Sequence, residues 1–226
     1  MGHRFIVLVL GIVVLGCETN KRSNMAEQGM IEYEIDYPSE IASRPVSHLL
    51  PEKLQVYFAG DRLKLQIKGD LNLFSLDFFA LAGGDSCYTV FKMLNRRMLV
   101  PMTDNERWFL FSDDQPFRYR VEKDSLRTIA GFSCHKVTIS HNDAPDESYD
   151  AWFTEELPLT ARMMRTPFEK IPGVPMAFEI TFKQMTFRFK ASAFSCNAGN
   201  EPIAIPKGCE LATRQEMKEM INMFLN

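Results

Sequence analysis

The chain has 226 residues and a formal net charge of −3, and 46% of its residues are apolar. This composition excludes an intrinsically disordered chain, because it supplies enough apolar surface for a core. Lysine and arginine occur in runs no longer than the pairs Lys21-Arg22 and Arg96-Arg97. A phosphate-binding surface needs a larger basic cluster, so we expect no nucleic-acid partner.

Residues 1–16 have the layout of a secretory signal. His3 and Arg4 precede an apolar run from Phe5 to Leu15, which is shorter than the ~20 helical residues that span a bilayer. A small residue and then Cys17 follow, and this order resembles the lipobox of bacterial lipoproteins. The resemblance implies that Cys17 is diacylated and that the preceding residues are then removed.

The rest of the chain divides into two parts. Residues 17–29 are polar, lack apolar periodicity and predict a flexible tether between membrane and domain. Residues 30–226 predict a single β-rich domain. The 18 phenylalanines and 13 methionines of the chain suit a large core or an adaptable apolar cavity, and both alternatives stay open.

Alternating apolar and polar residues predict strands early in the domain. The first strand begins at Met30, and two more runs, 54–58 and 63–67, flank a four-residue loop. If that loop closes a hairpin, all apolar residues of the two runs fall on one face. The predicted facing pairs are Phe58 with Leu63, Val56 with Leu65 and Leu54 with Ile67.

The middle of the domain predicts further strands separated by turns. These strands lie at about 87–93, 96–101, 107–112, 117–123, 127–140 and 148–154. The segment from Leu71 to Leu81 fits neither the helical nor the strand period, so strand and short helix both stay open. Residues 158–175 contain four prolines and predict a connecting segment.

A second hairpin is predicted near the end of the sheet. Apolar positions switch from even to odd numbers across Lys183-Gln184, and a two-residue turn there explains the switch. The predicted facing pairs are Phe182 with Met185, Ile180 with Phe187 and Phe178 with Phe189. Lys-Gln is unfavourable turn chemistry, and a bulge in one continuous strand is the alternative.

One helix is predicted, at the C-terminus. Thr213 and Glu216 have the spacing of a capping box and precede an apolar stripe. The stripe consists of Met217, Met220, Ile221 and Phe224. We expect this helix to pack one end of the sheet, and a role as cover over a ligand is the alternative. Together these elements predict a mainly β (α+β) domain with an antiparallel sheet.

Four cysteines follow Cys17. Cys196 and Cys209 enclose a turn-rich stretch that a disulfide could close, which leaves Cys87 to pair with Cys134. Free buried thiols are the alternative, because the sequence does not give the Cα separations that a disulfide requires.

Motifs of catalysis are missing from the sequence. It has no Gly-x-Ser-x-Gly, no Ser-x-x-Lys and no dinucleotide fingerprint. His135 and His141 would lie ~20 Å apart on one strand, too far to bind one ion. The carboxylate pairs Asp113-Asp114 and Glu155-Glu156 lie beside predicted turns and are typical of solvated loops. We therefore expect a non-catalytic protein that uses no metal and no other cofactor.

Four short segments in the second half are 128–137 (TIAGFSCHKV), 150–158 (DAWFTEELP), 171–176 (IPGVPM) and 205–211 (IPKGCEL). In this order they resemble motifs of uncharacterised Gram-negative lipoproteins of the GLPGLI and related unknown-function families. The resemblance implies a fold like that of LolA and LppX, a highly curved antiparallel half-barrel sheet with one or more covering helices. Pro175 and Cys209 depart from the family pattern.

The implied fold has an apolar concave face, and such faces commonly bind hydrophobic ligands. We predict a lipid, acyl chain or other hydrophobic ligand there, bound by one wall of the hairpin. The wall residues are Phe178, Ile180, Phe182, Phe187 and Phe189. The alternative is an accessory or scaffolding lipoprotein with a filled core, which docks on an envelope protein complex.

Either function is expected in the cell envelope. The protein would contact the membrane through its N-terminal lipid anchor, at the outer membrane and facing the periplasm.

Overall fold

The computed structural model describes residues 27–43, 47, 50–103, 106–108, 117–141, 148–159, 161–182, 185–197 and 202–225. The strands are β1 (Gln28–Asp36), β2 (Lys53–Ala59), β3 (Arg62–Lys68), β4 (Phe74–Leu81), β5 (Ser86–Met93), β6 (Arg96–Met102), β7 (Phe117–Ile129), β8 (Phe132–His141), β9 (Ser148–Thr154), β10 (Val174–Phe182), β11 (Met185–Ser195) and β12 (Glu210–Leu211). The helices are α1 (Ser39–Ala42) and α2 (Arg214–Leu225).

The described strands form one open sheet in the order β12-β6-β5-β4-β3-β2-β1-β11-β10-β9-β8-β7. Neighbouring strands are antiparallel except β12, which pairs with β6 in parallel. The predicted mainly β architecture with an antiparallel sheet is therefore confirmed.

The early hairpin has the predicted register. Phe58 faces Leu63, Val56 faces Leu65, and Leu54 faces Ile67. All six side chains are buried on one face of the sheet. Gly60 has a φ of 56° in the turn between β2 and β3, a conformation that glycine adopts without steric cost.

The late hairpin also has the predicted register, with Phe182 facing Met185, Ile180 facing Phe187 and Phe178 facing Phe189. Because β10 and β11 are antiparallel partners, the hairpin is confirmed over a bulge in a continuous strand. The turn residues 183–184 lie outside the described residues.

Two predictions about the middle strands need correction. The expected strand at 127–140 is wrong, because a turn at Ala130 and Gly131 separates β7 from β8. Both turn residues have positive φ, 49° and 86°, which is typical of the tight turns that close hairpins. In the expected strand at 107–112, the described residues 107–108 are irregular, and residues 109–112 lie outside the described part.

The ambiguous segment at 71–81 is a strand preceded by a short 3-10 turn at Asp70–Asn72. From Phe74 to Ala80 every residue of β4 is buried. A strand that is buried on both faces shows no alternation of apolar and polar residues. The sequence pattern therefore could not identify this segment as a strand.

The sheet bends between β8 and β11. These strands are three positions apart in the sheet, so a flat sheet would separate them by about 14 Å. Nevertheless the rings of Phe132 in β8 and Phe194 in β11 lie 5.0 Å apart at an interplanar angle of 80°. We call the side toward which the sheet bends the core face and the opposite side the outer face.

Helix α2 begins with the predicted capping box. The backbone N–H of Thr213 donates to Glu216 Oε2 at 2.7 Å, and the N–H of Glu216 donates to Thr213 Oγ1 at 3.2 Å. The backbone N–H and the hydroxyl of Thr213 both donate to the Glu216 carboxylate, and these two bonds lower the pKa of Glu216. Met217 and Ile221 are buried in the main apolar cluster, so the helix packs against the sheet as expected. The side chain of Phe224 lies outside the described part.

Candidate functional site

The predicted ligand wall lies on the core face. Phe178, Ile180 and Phe189 are 5–6% exposed, and the rings of Phe178 and Phe189 stack with centroids 5.1 Å apart. Phe187 is half-buried and packs against the same cluster. The side chain of Phe182 lies outside the described part. The structure therefore brings four of the five predicted residues together.

Other residues of the chain contact this wall directly. The ring of Tyr33 meets Phe178 edge-on at 5.8 Å, and Phe168 meets it edge-on at 5.2 Å. Tyr33 is fully buried, and its hydroxyl donates to the carbonyl of Pro175 at 2.9 Å. Burial raises the pKa of Tyr33 far above its usual range.

Phe168 belongs to a segment between β9 and β10, residues 155–159 and 161–173, which we call the cover segment. Its apolar side chains are at most 9% exposed and belong to the same cluster as the wall. They are Leu157, Leu159, Met163, Met164, Phe168 and Ile171. The segment predicted as a simple connection thus fills part of the core face.

Hydrogen bonds hold the cover segment in place. The backbone N–H of Trp108 donates to the carbonyl of Arg165 at 2.9 Å, and the Trp108 ring lies 6.0 Å from Phe78 in β4. The hydroxyl of Tyr119 in β7 donates to the carbonyl of Pro167. The cover segment is therefore tied to strands on both sides of the bent sheet.

The passage from cover segment to β10 is tightly packed. A Cβ at Gly173 would lie 2.2 Å from the backbone oxygen of Thr154, so only glycine fits this position. Thr154 itself is fully buried.

The outer face carries a second buried layer, which the sequence analysis missed. Across β2–β4, Tyr57, Lys64 and Phe79 are at most 7% exposed. Lys64 Nζ lies 5.8 Å from the Tyr57 ring centroid and 5.6 Å from that of Phe79, which are cation–π distances. Gln66 donates to Asp77 Oδ1 at 2.8 Å in the same layer.

The C-terminal part of the chain joins the sheet beside β6. Before it reaches β6, Ile203 is buried and Cys209 is half-buried. Burial raises the pKa of Cys209, Arg97 lowers it, and Asp77 raises it. The N–H of Ala212 then donates to the carbonyl of Leu99 at 2.9 Å, where β12 joins the sheet.

The predicted disulfides are not formed, because all four described cysteines have free thiols. Cys196 is exposed just after β11, whereas the thiol of Cys209 donates to the carbonyl of Pro206 at 3.2 Å. Cys87 and Cys134 are separately buried in the core. Their burial corresponds to the alternative of free thiols.

At the other end of the sheet, the outer face of β7–β9 is polar. Lys136 Nζ lies 3.0 Å from Asp150 and 3.6 Å from Glu122, and Thr138 donates to both carboxylates. Asp150 and Glu122 raise the pKa of Lys136. Ion pairs of this kind on a surface stabilise the fold little.

Within the described residues, no three or more His, Cys, Asp and Glu side chains are grouped to hold a metal ion. Neither helix in that part of the chain is long and apolar enough to cross a membrane. Cys17 and residues 17–26 of the tether lie outside the described residues. No protein-family model and no curated protein sequence matches this chain.

Proposed function

We propose that this chain is a non-catalytic, lipid-anchored cell-envelope protein that docks on an envelope protein complex through its outer surface. The carrying observation is that the cover segment occupies the core face, with Phe168 in ring contact with Phe178. The anchor is Cys17, and the location is the periplasmic side of the outer membrane.

The energetics of the cover segment favour a filled core over a ligand site. Its six buried apolar side chains each gain about 1.5–3 kcal/mol on burial, which amounts to roughly 10 kcal/mol or more. An acyl chain of about 15 carbons would gain a similar amount, at about 0.8 kcal/mol per methylene. Because the ligand would first have to expose the cover segment, the exchange has no clear driving force.

The outer face of β7–β9 is the surface best suited to docking. It combines Lys136, Glu122 and Asp150 with the half-buried ring of Trp152, over which the Arg127 guanidinium lies at 5.8 Å. Tryptophan and arginine are enriched at the energetic centres of protein interfaces. A protein surface with complementary charges is the partner that this composition favours.

A second candidate is transport or storage of a hydrophobic ligand, and one feature favours it. The cover segment is irregular, with a 3-10 turn at Ala161–Met164 and no longer element in its described residues. Methionine adapts readily to different partners, and Met163 and Met164 are adjacent. In a LolA-like half-barrel, movement of such a cover would open the apolar wall to an acyl chain.

Site-specific photo-crosslinking in membranes distinguishes the two candidates. A photo-reactive side chain replaces Trp152 on the outer face or Phe178 on the core face of the full chain. We expect a discrete crosslink to another protein from position 152 and only intramolecular products from position 178. Lipid adducts at position 178, with no protein adduct at 152, would overturn the docking function and favour the carrier.

The lipid anchor has its own test. Metabolic labelling with a fatty-acid analogue is expected to label the full chain but not its Cys17→Ser variant. Equal labelling of both would contradict the assignment of Cys17.

A further inference from the structure

Two exposed leucines are neighbours where β3 and β5 end and β4 and β6 begin. Leu73 directly precedes β4 and is 37% exposed, and Leu94 lies in the turn between β5 and β6 and is 63% exposed. The N–H of Leu94 donates to the carbonyl of Leu73 at 2.8 Å. We call the part of the molecule around these two residues the leucine rim. Adjacent exposed apolar side chains are a feature of interaction sites.

Folding does not explain why position 94 is a leucine. Its φ is 52°, a left-handed conformation that is rare for large side chains and that glycine or asparagine adopts more easily. The side chain gains little from burial, because most of it faces water. A leucine at this position is better explained by a contact with another molecule.

A row of polar side chains crosses four strands beside the leucine rim. Ser75 of β4 faces Lys68 of β3 on one side and Lys92 of β5 on the other. Lys92 in turn faces Arg97 of β6, and these two cations flank the turn that carries Leu94. Because neighbouring strands are about 4.8 Å apart, the row is about 14 Å long. We call Lys68, Lys92 and Arg97 the cation row.

The cation row lies on the outer face, because Lys68 follows Lys64 by four residues in the same strand. Lys68 is exposed, and Lys92 and Arg97 are half-buried. Within the described part of the chain, none of these three cations forms an ion pair. Like charges at facing positions, such as Lys92 and Arg97, destabilise an antiparallel pair. The row therefore does not serve the stability of the fold.

Few acidic side chains offset this charge around β3–β6. Arg96 pairs with Glu210 at 2.8 Å, and Asp70 is exposed shortly before β4. Among the exposed and half-buried side chains near the leucine rim, the cation row and Arg96 thus face only these two carboxylates. The surface beside the two leucines is therefore positively charged.

We propose that the leucine rim contacts an anionic bilayer, with Leu73 and Leu94 at the acyl boundary and the cation row at the lipid phosphates. Apolar side chains that enter the interface act together with cations that attract anionic headgroups. A purely anionic polymer would bind the cations but would leave the leucines in water. The contact is additional to the docking function proposed above and does not involve Trp152 or Lys136.

The position of the predicted anchor is compatible with this contact. β1 begins opposite Ala59, so its first residue lies at the other end of the strands from the leucine rim. The seven residues of β3 separate the two ends by about 23 Å. Residues 17–27 can extend to about 36 Å, which exceeds that distance. A chain held at Cys17 can therefore place the leucine rim on the bilayer.

Photo-crosslinking of the full chain on vesicles tests the contact. A photo-reactive side chain replaces Leu94 or, as the matched control, Leu126, which is 61% exposed in β7. On vesicles of equimolar phosphatidylcholine and phosphatidylglycerol, we expect at least about tenfold more phospholipid adducts at position 94 than at position 126. Vesicles of phosphatidylcholine alone should lower the adducts at position 94 about tenfold. Because both positions belong to the same chain, their ratio does not depend on whether Cys17 carries the anchor.

Charge reversal supplies a second arm. Lys92→Glu together with Arg97→Glu keeps like charges opposite each other, so the fold is little affected, but it should lower the adducts at position 94 about tenfold. Arg62→Glu together with Lys123→Glu reverses two exposed cations away from the leucine rim and should leave the adducts unchanged. Adducts at position 94 that are no more frequent than at position 126, or that do not depend on phosphatidylglycerol, would overturn the proposal. Equal effects of the two double variants would overturn it as well.

Discussion

The two ends of the sheet use its outer face in opposite ways. In the middle of β2–β5 the outer face is buried, at Tyr57, Phe79 and Val90, and even Lys64 is only 4% exposed. Across β7–β9 the same face carries charged side chains, and Lys136 forms ion pairs at the surface. At the first end Ile203 is buried, and β12 pairs with β6. One end therefore buries side chains on both faces of the sheet, and the other carries charged side chains on its outer face.

This difference suggests that one end of the sheet stabilises the fold and that the other end binds a partner. A strand buried on both faces contributes apolar burial twice, so β2–β5 should dominate the free energy of unfolding. The end at β7–β9 exposes charged side chains on its outer face, such as Arg127 and Asp150, which suits recognition of a charged partner. The following predictions test that separation.

The largest expected change in the free energy of unfolding comes from substitutions on the outer face. Phe79→Ala in β4 removes a ring that is 0% exposed and should lower the free energy of unfolding by about 3–5 kcal/mol. Trp152→Ala, on the same face in β9, removes a half-buried ring and should cost less than half as much. Urea unfolding of both variants measures the difference, and equal losses would contradict the comparison.

A second prediction concerns the cover segment on the core face. Phe168→Ala should lower the free energy of unfolding by about 3 kcal/mol, because Phe168 is 2% exposed and contacts Phe178. Lys170→Ala, on an exposed position of the same segment, is the matched control and should change stability little. A small loss for F168A would show that the cover segment is only loosely attached.

The reactivity of the thiols tests whether water and reagents reach the core near β5 and near β8. Burial raises the pKa of Cys134 to about 11, so this thiol stays protonated at neutral pH. Cys134 and Cys87 should resist an alkylating reagent in the folded protein, whereas the exposed Cys196 should react rapidly. Mass spectrometry of the alkylated peptides provides the readout. Rapid labelling of Cys134 would mean that water reaches the core near β8.

The smallest expected effect is on how the free energy of unfolding depends on pH, through Glu32 in β1. Hydrogen bonds from Lys53 and Gln55 lower the pKa of Glu32 below its ordinary value of 4.5, against the opposing effect of burial. The ionised Glu32 therefore stabilises the folded state at pH values above the ordinary pKa. This stabilisation is lost as the pH falls through the lowered pKa of the folded state. Urea unfolding at several pH values should show less acid sensitivity in Glu32→Gln than in the unmodified chain. The same acid sensitivity in both would contradict this role of Glu32.

Local sequence patterns predicted the hairpins because both signals act over a few residues. The period-two pattern and the short turn place Phe58 opposite Leu63 and Phe178 opposite Phe189, and no distant segment is needed. The capping box at Thr213 is local in the same sense. The turn at Ala130 escaped prediction because alanine rarely signals a positive φ.

Features that depend on distant contacts could not be predicted. Lys64, Gln66 and Asp77 occupy alternate positions that normally face water, yet all three are buried in the structure. The prolines of the cover segment indicated a connection, although its apolar residues, such as Leu157 and Phe168, carried a signal of burial. Pattern analysis identifies which side of a strand is apolar but not which distant segment packs on it.

Uptake of a fluorescent fatty acid by the delipidated full chain in detergent tests the filled core face most directly. We predict no saturable binding, and no difference between the unmodified chain and Phe178→Ala. Saturable binding of one fatty acid per chain that F178A abolishes would contradict the account, because the wall would then be open to a ligand.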